Sequence, residues 1–255
     1  AFDAVVVATG VEPRAVELAD LSTTGSPPRV RTYAEVLRAG AEPCGPRVAI
    51  VGAGGIGFDV AEFLSHDPEL SFYDEWGVDR TLARRGALKP PAEPRKLREI
   101  YLLQRKATPH GISLGKTTGW IHRAALKNRD VNMLADCRYD GLVDGGLRLT
   151  VAGEPRDLSV DDVVLCAGQT SLHRLYDDLR ANDKRAFLVG GALLAAELDA
   201  KRAIDQGFRL AANFDHAKPG DVFDMPSGWK ASALDMLQTV LKPPQKKTAN
   251  RRQAA

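Results

Sequence analysis

The stretch RVAIVGAGGIGFDVAEFLS, residues 47–65, decides the fold of this chain. The run VAIV before the glycines predicts a short buried strand, and the apolar residues after the glycines recur at helical spacing. A G-x-G-x-x-G pattern between a strand and a helix is typical of a turn that binds the phosphates of a dinucleotide. The candidate phosphate-binding residues are Gly52, Gly54, Gly55, Ile56 and Gly57.

Each glycine of the G-x-G-x-x-G pattern has a predicted role. Gly52 permits a tight turn, Gly54 lets the backbone approach a pyrophosphate, and Gly57 lets the helix pack closely against the strand. The start of the helix adds N–H groups and a partial positive charge, and both favour phosphate. The alternative is a structural glycine-rich turn that holds no ligand.

The strand EIYLLQRK, residues 99–106, indicates which dinucleotide binds. In this fold the second strand ends near the adenine ribose and usually delivers an Asp or Glu to its hydroxyl groups. Here the strand ends in Gln104, Arg105 and Lys106. Because cations at this position pair with a 2′-phosphate, the missing acid favours NADPH. The alternative is a solvated basic pair at a strand end.

This assignment requires an insertion between the two strands. The second strand lies about fifty residues beyond the glycines, whereas the ribose-binding position usually follows them by about 20 residues. Residues 65–96 are charged and rich in proline. We therefore expect this segment to form an insertion after the first helix of the dinucleotide-binding unit.

The properties of the whole chain exclude several classes of function. Its 255 residues, 44% hydrophobic and 27% charged, suit one large globular domain or two small ones. A net charge of +2 gives no indication of a nucleic-acid partner, and no apolar run reaches the roughly 18 residues that cross a membrane. The histidines and cysteines have no metal-ligand spacing, so no metal site is predicted. Three scattered cysteines, Cys44, Cys137 and Cys166, are typical of a reducing cytoplasm, where we expect the protein.

Two similar segments suggest that the chain holds two nucleotide-binding units, one inserted in the other. DAVVVATG, residues 3–10, and DDVVLCAG, residues 161–168, each combine an Asp, an apolar run and a closing glycine. Each segment predicts a parallel strand with a tight turn at the edge where ligands bind in open α/β sheets. Ala167 and Gly168 are therefore further candidate cofactor-binding residues.

The segment GISLGKTTGW, residues 111–120, contains the end of a phosphate-binding loop of the ATPase type. The full motif requires a glycine at the position of His110, and no apolar strand precedes it. We therefore interpret Thr117 or Thr118 as the cap of the following helix instead.

Five segments together resemble the carboxyl-terminal half of the bacterial NADPH-dependent 2,4-dienoyl-CoA reductases, flavoproteins related to old yellow enzyme and trimethylamine dehydrogenase. These segments are VAIVGAGGIGFDVAEFLS, LLQRKA, LGKTTGWIHR, VVLCAGQ and ELDAKRAIDQG. The resemblance covers residues 1–214, and LGKTTGWIHR is its most specific part. It implies an α/β fold in which a Rossmann-like NADPH-binding domain is nested in an incomplete FAD-binding domain.

The resemblance also implies a domain map. Residues 45–170 would form the NADPH-binding domain with its insertion at 65–96, and residues 1–28 and 171–214 would form part of the FAD-binding domain. Residues 215–255 have no counterpart in the resemblance, and their composition predicts a partly disordered tail. By the same resemblance, the FAD-binding residues would be Thr9, Gly10, Gly190, Gly191, Glu197 and Asp199.

In this family electrons pass from NADPH to FAD, then to a [4Fe-4S] cluster, to FMN and to the dienoyl-CoA. The barrel domain that carries FMN and the cluster has no counterpart in this sequence. Because the chain opens with Ala1 inside a predicted strand, we expect a fragment whose missing amino-terminal barrel is its partner.

The predicted function is thus an NADPH-binding reductase module that passes hydride to FAD in 2,4-dienoyl-CoA reduction, a step of fatty acid β-oxidation. The cofactors carry the chemistry, so no side chain is predicted to act as a catalytic acid or base. One alternative is the corresponding half of an enoate or trimethylamine-dehydrogenase type flavoprotein. Another is a non-catalytic nucleotide-binding or interaction module.

Overall fold

A computed structural model describes residues 2–196 and 200–223 of the chain. The strands are, in chain order, β1 Val5–Val7, β2 Val11–Pro13, β3 Arg29–Thr32, β4 Arg47–Val51, β5 Glu99–Leu103, β6 Asn132–Leu134, β7 Cys137–Val143, β8 Gly146–Val151, β9 Glu154–Ser159, β10 Asp162–Leu165, β11 Gln169–Ser171 and β12 Ala186–Leu188. The helices are α1 Tyr33–Leu37, α2 Gly55–Ser65, α3 Phe72–Glu75, α4 Gly119–Asn128, α5 Arg174–Ala181 and α6 Ala200–Ala212. None of the helices within these ranges combines the length and the hydropathy that crossing a lipid bilayer requires.

The chain divides into two compact units. One is formed by Glu12–Thr170, and the other by the described residues of Ala1–Val11 and Ser171–Ala255. Residues 12–28, which the sequence assigned to the FAD-binding part, belong by their contacts to the larger unit, where Leu21 N–H donates to the Leu142 carbonyl at 2.7 Å. Which unit binds which cofactor remains a prediction.

A five-stranded parallel sheet forms the centre of the larger unit. Its strand order is β3-β10-β4-β5-β6, so β4 lies in the middle between β10 and β5. Val51 at the end of β4 pairs with Leu165 on one side and with Leu103 on the other. The segments that follow these three strands therefore leave the sheet at the same edge. The predicted α/β class with a Rossmann-type parallel sheet is confirmed.

Alternate residues of the central strands point into two separate cores. On one face Val48 and Ile50 pack with α2 and with Leu126 of α4. On the other face Ala49 and Val51 pack against the antiparallel sheet β7-β8-β9. A strand buried on both faces must be apolar at every position, which explains the continuous VAIV run.

Residues 66–98, which include most of the segment that the sequence predicted as an insertion, connect α2 to β5, and two ion pairs hold this connection. Arg95 forms a bidentate ion pair with the buried carboxylate of Asp67, with Nη2 2.6 Å from Oδ1 and Nε 2.9 Å from Oδ2. Arg129, at the end of α4, forms a second bidentate ion pair with the buried Glu75, with Nε 2.7 Å from Oε1 and Nη2 3.0 Å from Oε2. The pKa of Asp67 lies well below its usual range, chiefly because its carboxylate accepts hydrogen bonds from the Arg95 guanidinium.

The smaller unit is built around the parallel pair β1 and β12, with Val7 opposite Leu188. Phe187 and Val189 form its core together with Leu210 of α6 and with Ala217. Residues 194–196 are not helical, and the described part of α6 spans Ala200–Ala212. A 3-10 turn at Gly190–Ala192, opened by Gly190 at a φ of +64°, precedes it.

The antiparallel sheet and the start of α4 complete the larger unit. Strands β7, β8 and β9 form an antiparallel meander with turns at 144–145 and 152–153. Thr118 stands at the cap position of α4, but its side chain makes no capping hydrogen bond. Most of the predicted tail, residues 224–255, lies outside the described residues.

Candidate nucleotide-binding site

The turn after β4 can be built only with glycine at position 52. Gly52 has a φ of +113°, and a Cβ there would lie 2.8 Å from the carbonyl oxygen of Cys166. Its N–H donates to the Leu103 carbonyl at 3.0 Å. The turn is therefore held between the segments that follow β5 and β10.

Gly57 brings the first turn of α2 against this loop. A Cβ at position 57 would lie 1.8 Å from the carbonyl oxygen of Gly52, which no side chain can accommodate. The predicted packing role of the third glycine therefore has a direct counterpart in the structure.

Gly54 and Gly55 differ, because the protein itself does not require them to be glycine. A Cβ at either position would meet no protein atom within 4 Å, and Gly54 has an ordinary φ of −82°. The backbone at the start of α2 is thus left bare toward open space. A phosphate that approaches this backbone needs such a space, so the geometry fits the predicted pyrophosphate position.

The first amides of α2 are available as donors for an anion. The first three N–H groups of an α-helix have no partner within the helix, and here they belong to Gly55, Ile56 and Gly57. Gly54 has no side chain that could cap them. The helix dipole adds a partial positive charge at the same place.

A cleft of about 410 Å³ opens beside the glycine turn. It lies within the larger unit, and three segments that leave the same sheet edge form most of it. Its lining residues are Arg14, Gly52, Ala53, Gly54, Gln104, Arg105, Lys106, Thr108, Ile112, Ser113, Tyr139, Cys166, Ala167 and Gly168. Six predicted site residues are thus brought together: Gly52, Gly54, Arg105, Lys106, Ala167 and Gly168.

Arg105 and Lys106 bring two positive charges to the cleft. Both side chains are exposed, and neither forms an ion pair with a residue that the structure describes. Gln104 shapes the loop that carries them, since its Nε2 donates to the carbonyls of Lys106 at 2.9 Å and Thr108 at 2.6 Å. The end of β5 therefore presents uncompensated cations and no carboxylate.

The cysteine in the cleft has a structural role. Burial raises the pKa of Cys166 to about 12, so its thiol stays protonated at neutral pH. Cys44 and Cys137 are likewise buried and free. Across residues 2–196 and 200–223 no group of His, Cys, Asp and Glu could hold a metal ion.

Arg14 is the main site residue that sequence reasoning missed. Its Nη2 donates to the Ala167 carbonyl at 3.3 Å, and its N–H donates to the Gly168 carbonyl at 3.3 Å. It lies more than 30 residues before the glycine turn, so no local motif connects the two. Thr108, Ile112, Ser113 and Tyr139 were missed for a similar reason, because only the folded loops bring them to the cleft.

The predicted FAD-binding residues lie in the smaller unit. Gly10 and Gly190 follow β1 and β12, and because these strands are parallel neighbours, both glycines lie at one edge of the pair. The Thr9 hydroxyl donates to the Leu172 carbonyl, and Gly190 N–H donates to Gln206 Oε1 at 2.5 Å. Gly191 belongs to the same 3-10 turn. Glu197 and Asp199 lie outside the described residues, and the assignment of all six to FAD stays a prediction.

Comparison with known proteins adds a family to this geometry. The family model described as pyridine nucleotide-disulphide oxidoreductase matches residues 1–197. A protein described as a metal reductase, from Desulforamulus reducens, is 26% identical over 228 residues, which are 84% of this chain and 31% of that protein.

Solved structures share the fold at low identity. Histamine dehydrogenase from Rhizobium sp. 4-9 matches with a TM-score of 0.60 and 18% identity, over 86% of this chain and 32% of its own. A 2-naphthoyl-CoA reductase matches with a TM-score of 0.59 and 16% identity, over 81% of this chain and 26% of its own. The chain thus spans about a third or less of the length of these proteins.

Proposed function

The chain belongs to the pyridine nucleotide-disulphide oxidoreductase family, and we propose that its glycine-turn cleft binds NADPH as the hydride donor of a flavin-dependent oxidoreductase. The family as a whole uses FAD and a pyridine nucleotide. The choice of NADPH over NADH, and the position of the nucleotide in this cleft, are the parts that we propose.

The observation that carries the proposal is the pairing of a bare helix start with two uncompensated cations in one cleft. Gly54 and Gly55 leave open space beside the first amides of α2, where a pyrophosphate would fit. Arg105 and Lys106 line the same cleft and have no ion pair among the described residues. A dinucleotide with a second phosphate on its adenosine ribose offers an anion to each of these places.

The end of β5 favours the 2′-phosphate over the 2′-hydroxyl. A carboxylate there would accept hydrogen bonds from the ribose and repel a phosphate, but Gln104 uses its amide within its own loop. Charge-assisted hydrogen bonds to a phosphate contribute about 1.5–3 kcal/mol each when well formed. One such contact alone would favour NADPH over NADH by roughly 10-fold to 150-fold.

When bound, NADPH supplies a hydride that reduces FAD, and the protein's part is to place and orient the nucleotide. Arg105 and Lys106 hold the adenosine end, and the α2 amides hold the pyrophosphate. The thiol of Cys166 remains protonated and takes no part. No side chain of this unit needs to transfer a proton.

For the final electron acceptor we propose a 2,4-dienoyl-CoA, on the basis of the LGKTTGWIHR segment and the other motifs shared with that reductase family. The similarity to a protein described as a metal reductase favours a metal ion as the second candidate acceptor. The two acceptors can be compared directly on the full-length gene product, by following NADPH oxidation with dienoyl-CoA or with a metal salt. Turnover with the metal salt alone would overturn the first choice.

The nucleotide proposal is tested by titrating NADPH and NADH against the wild-type chain and Arg105→Gln. Wild type should bind NADPH at least about tenfold more tightly than NADH, and Arg105→Gln should lose most of that preference. Arg85→Gln is the matched control, because Arg85 is exposed in the insertion and does not line the cleft. Equal affinities in wild type, or an equal loss in the control, would contradict the proposal.

A further inference from the structure

Arg14 stands at the opposite end of the cleft from the cation pair. In the sheet β4 lies between β5 and β10. Arg105 and Lys106 follow β5, whereas Arg14 contacts Ala167 and Gly168, which follow β10. The glycine turn lies between these two positively charged positions.

The guanidinium of Arg14 is held in place but not neutralised. A Cβ at position 168 would lie 2.3 Å from Arg14 Nη2 and 2.6 Å from its Cζ, so the guanidinium lies directly against Gly168. Its one side-chain hydrogen bond to a residue that the structure describes is the 3.3 Å contact of Nη2 with the Ala167 carbonyl. The residue is exposed, and no carboxylate among the described residues pairs with it.

This arrangement assigns the two ends of the cleft to two halves of a nucleotide. If the 2′-phosphate lies at β5 and the pyrophosphate on the glycine turn, an extended dinucleotide continues toward β10. Resting on the proposed NADPH function, we infer that Arg14 binds the nicotinamide mononucleotide half of NADPH, through the phosphate of that half. Arg14 is thus a binding residue that positions the nicotinamide side, whereas Arg105 selects the adenosine side.

Gly168 has a specific part in this assignment. Its φ of +89° favours glycine, and a Cβ at this position would displace the Arg14 guanidinium from its place. The glycine therefore provides the flat surface on which the guanidinium lies. Nη2 of Arg14 carries a second N–H besides the one that contacts Ala167, and together with the adjacent N–H of Nε or Nη1 it can donate to one phosphate in the forked geometry that arginine favours.

The test compares two ligands that differ only in the half at issue. NADPH carries both halves, whereas adenosine 2′,5′-bisphosphate carries the adenosine half with its 2′-phosphate and 5′-phosphate. Isothermal titration would measure both ligands against wild type, Arg14→Gln, Arg14→Lys, Arg105→Gln and the control Arg85→Gln.

Arg14→Gln should weaken NADPH about tenfold or more and leave the bisphosphate affinity within about twofold, since one charge-assisted contact is lost. Arg105→Gln should weaken both ligands alike. Arg14→Lys should recover part of the NADPH affinity, because the charge returns without the fork. Unchanged bisphosphate binding also shows that the variant is folded.

Two results would overturn the assignment, and they differ from failure of the proposed function. If Arg14→Gln weakens both ligands equally, or weakens neither, Arg14 does not act on the nicotinamide half. If wild type binds neither ligand, the NADPH proposal itself fails, and the role of Arg14 fails with it.

Discussion

Gly57 lies so close to Gly52 that a Cβ at position 57 would be 1.8 Å from the Gly52 carbonyl oxygen. The two glycines let the start of α2 pack directly against the turn after β4. Gly54, between them in sequence, has no such neighbour. The three glycines of one motif therefore differ: Gly52 and Gly57 are required by the fold, whereas Gly54 is not, and we propose that the ligand requires it.

This division predicts opposite phenotypes for two alanine substitutions. Gly57→Ala should lower the free energy of unfolding by about 1–3 kcal/mol or more, because the added methyl group overlaps backbone. Gly54→Ala should lower that free energy by about 1 kcal/mol at most, because alanine is less favourable than glycine at a helix N-cap but its Cβ meets no protein atom here. The same substitution should weaken NADPH binding strongly, because the methyl group occupies the space that the pyrophosphate needs. Urea unfolding and nucleotide titration measure the two effects.

Gly207→Ala in α6 is the matched control, because a Cβ there meets no protein atom within 4 Å and Gly207 does not line the cleft. It should be neutral or slightly stabilising by helix propensity. If Gly54→Ala binds NADPH like wild type, the pyrophosphate does not approach the start of α2.

Selectivity for NADPH should depend on salt. Arg105 and Lys106 are exposed, so their attraction to a 2′-phosphate is screened as the Debye length shrinks from about 10 Å at 0.1 M salt to about 3 Å at 1 M. The ratio of NADPH to NADH affinity should therefore fall between these two salt concentrations. A ratio that stays constant would indicate that the preference does not arise from charge.

The three cysteines should react only slowly with thiol reagents in the folded protein. Cys44, Cys137 and Cys166 are buried, and burial raises the pKa of each thiol. Because the thiolate is the reactive form, a thiol reagent at pH 8 should label none of them quickly, and all three after denaturation. Rapid labelling of one thiol in the native state would contradict this prediction and would make thiol–disulphide exchange a candidate activity of this chain.

The ion pair between Asp67 and Arg95 should make the free energy of unfolding depend on pH in the acid range. The folded pKa of Asp67 is depressed, so its stabilising pair with Arg95 is fully present above the unfolded value of about 3.9 and is lost as pH falls through the folded value. Asp67→Asn should therefore be less stable than wild type at pH 7, and the difference should narrow below about pH 4.

Urea midpoints across this pH range provide the measurement. Asp178→Asn is the control, since Asp178 is exposed and forms no ion pair with a described residue. A difference between wild type and Asp67→Asn that persists unchanged at low pH would rule out the ionised carboxylate as its source.

Local patterns in the sequence were sufficient for the strand, turn and helix of residues 47–65, because each of their features depends on near neighbours. The insertion and the basic end of β5 followed from the same pattern. Strand β3 was missed because RVRT is an edge strand with polar positions, and it carries no continuous apolar run.

The rest of the site depends on contacts between distant segments. Arg14 reaches the cleft because its backbone and side chain bond to Gly168 and Ala167, more than 150 residues away in the chain. The sequence shows that Gln104 stands where this fold usually has an acid. It does not show that the Gln104 amide donates hydrogen bonds to carbonyls of its own loop. Side chains that meet only after folding leave no signal in a single sequence.

Hydrogen exchange in the presence of NADPH tests the central claim most directly, because it reports where the nucleotide binds. The amides of Gly55, Ile56 and Gly57 have no intrahelical partner in the free protein, so a bound pyrophosphate should slow their exchange. Saturating NADPH should protect residues 52–57 and 104–108 and leave α5, residues 174–181, unchanged. Protection that is absent from the glycine turn while NADPH is bound would contradict the account.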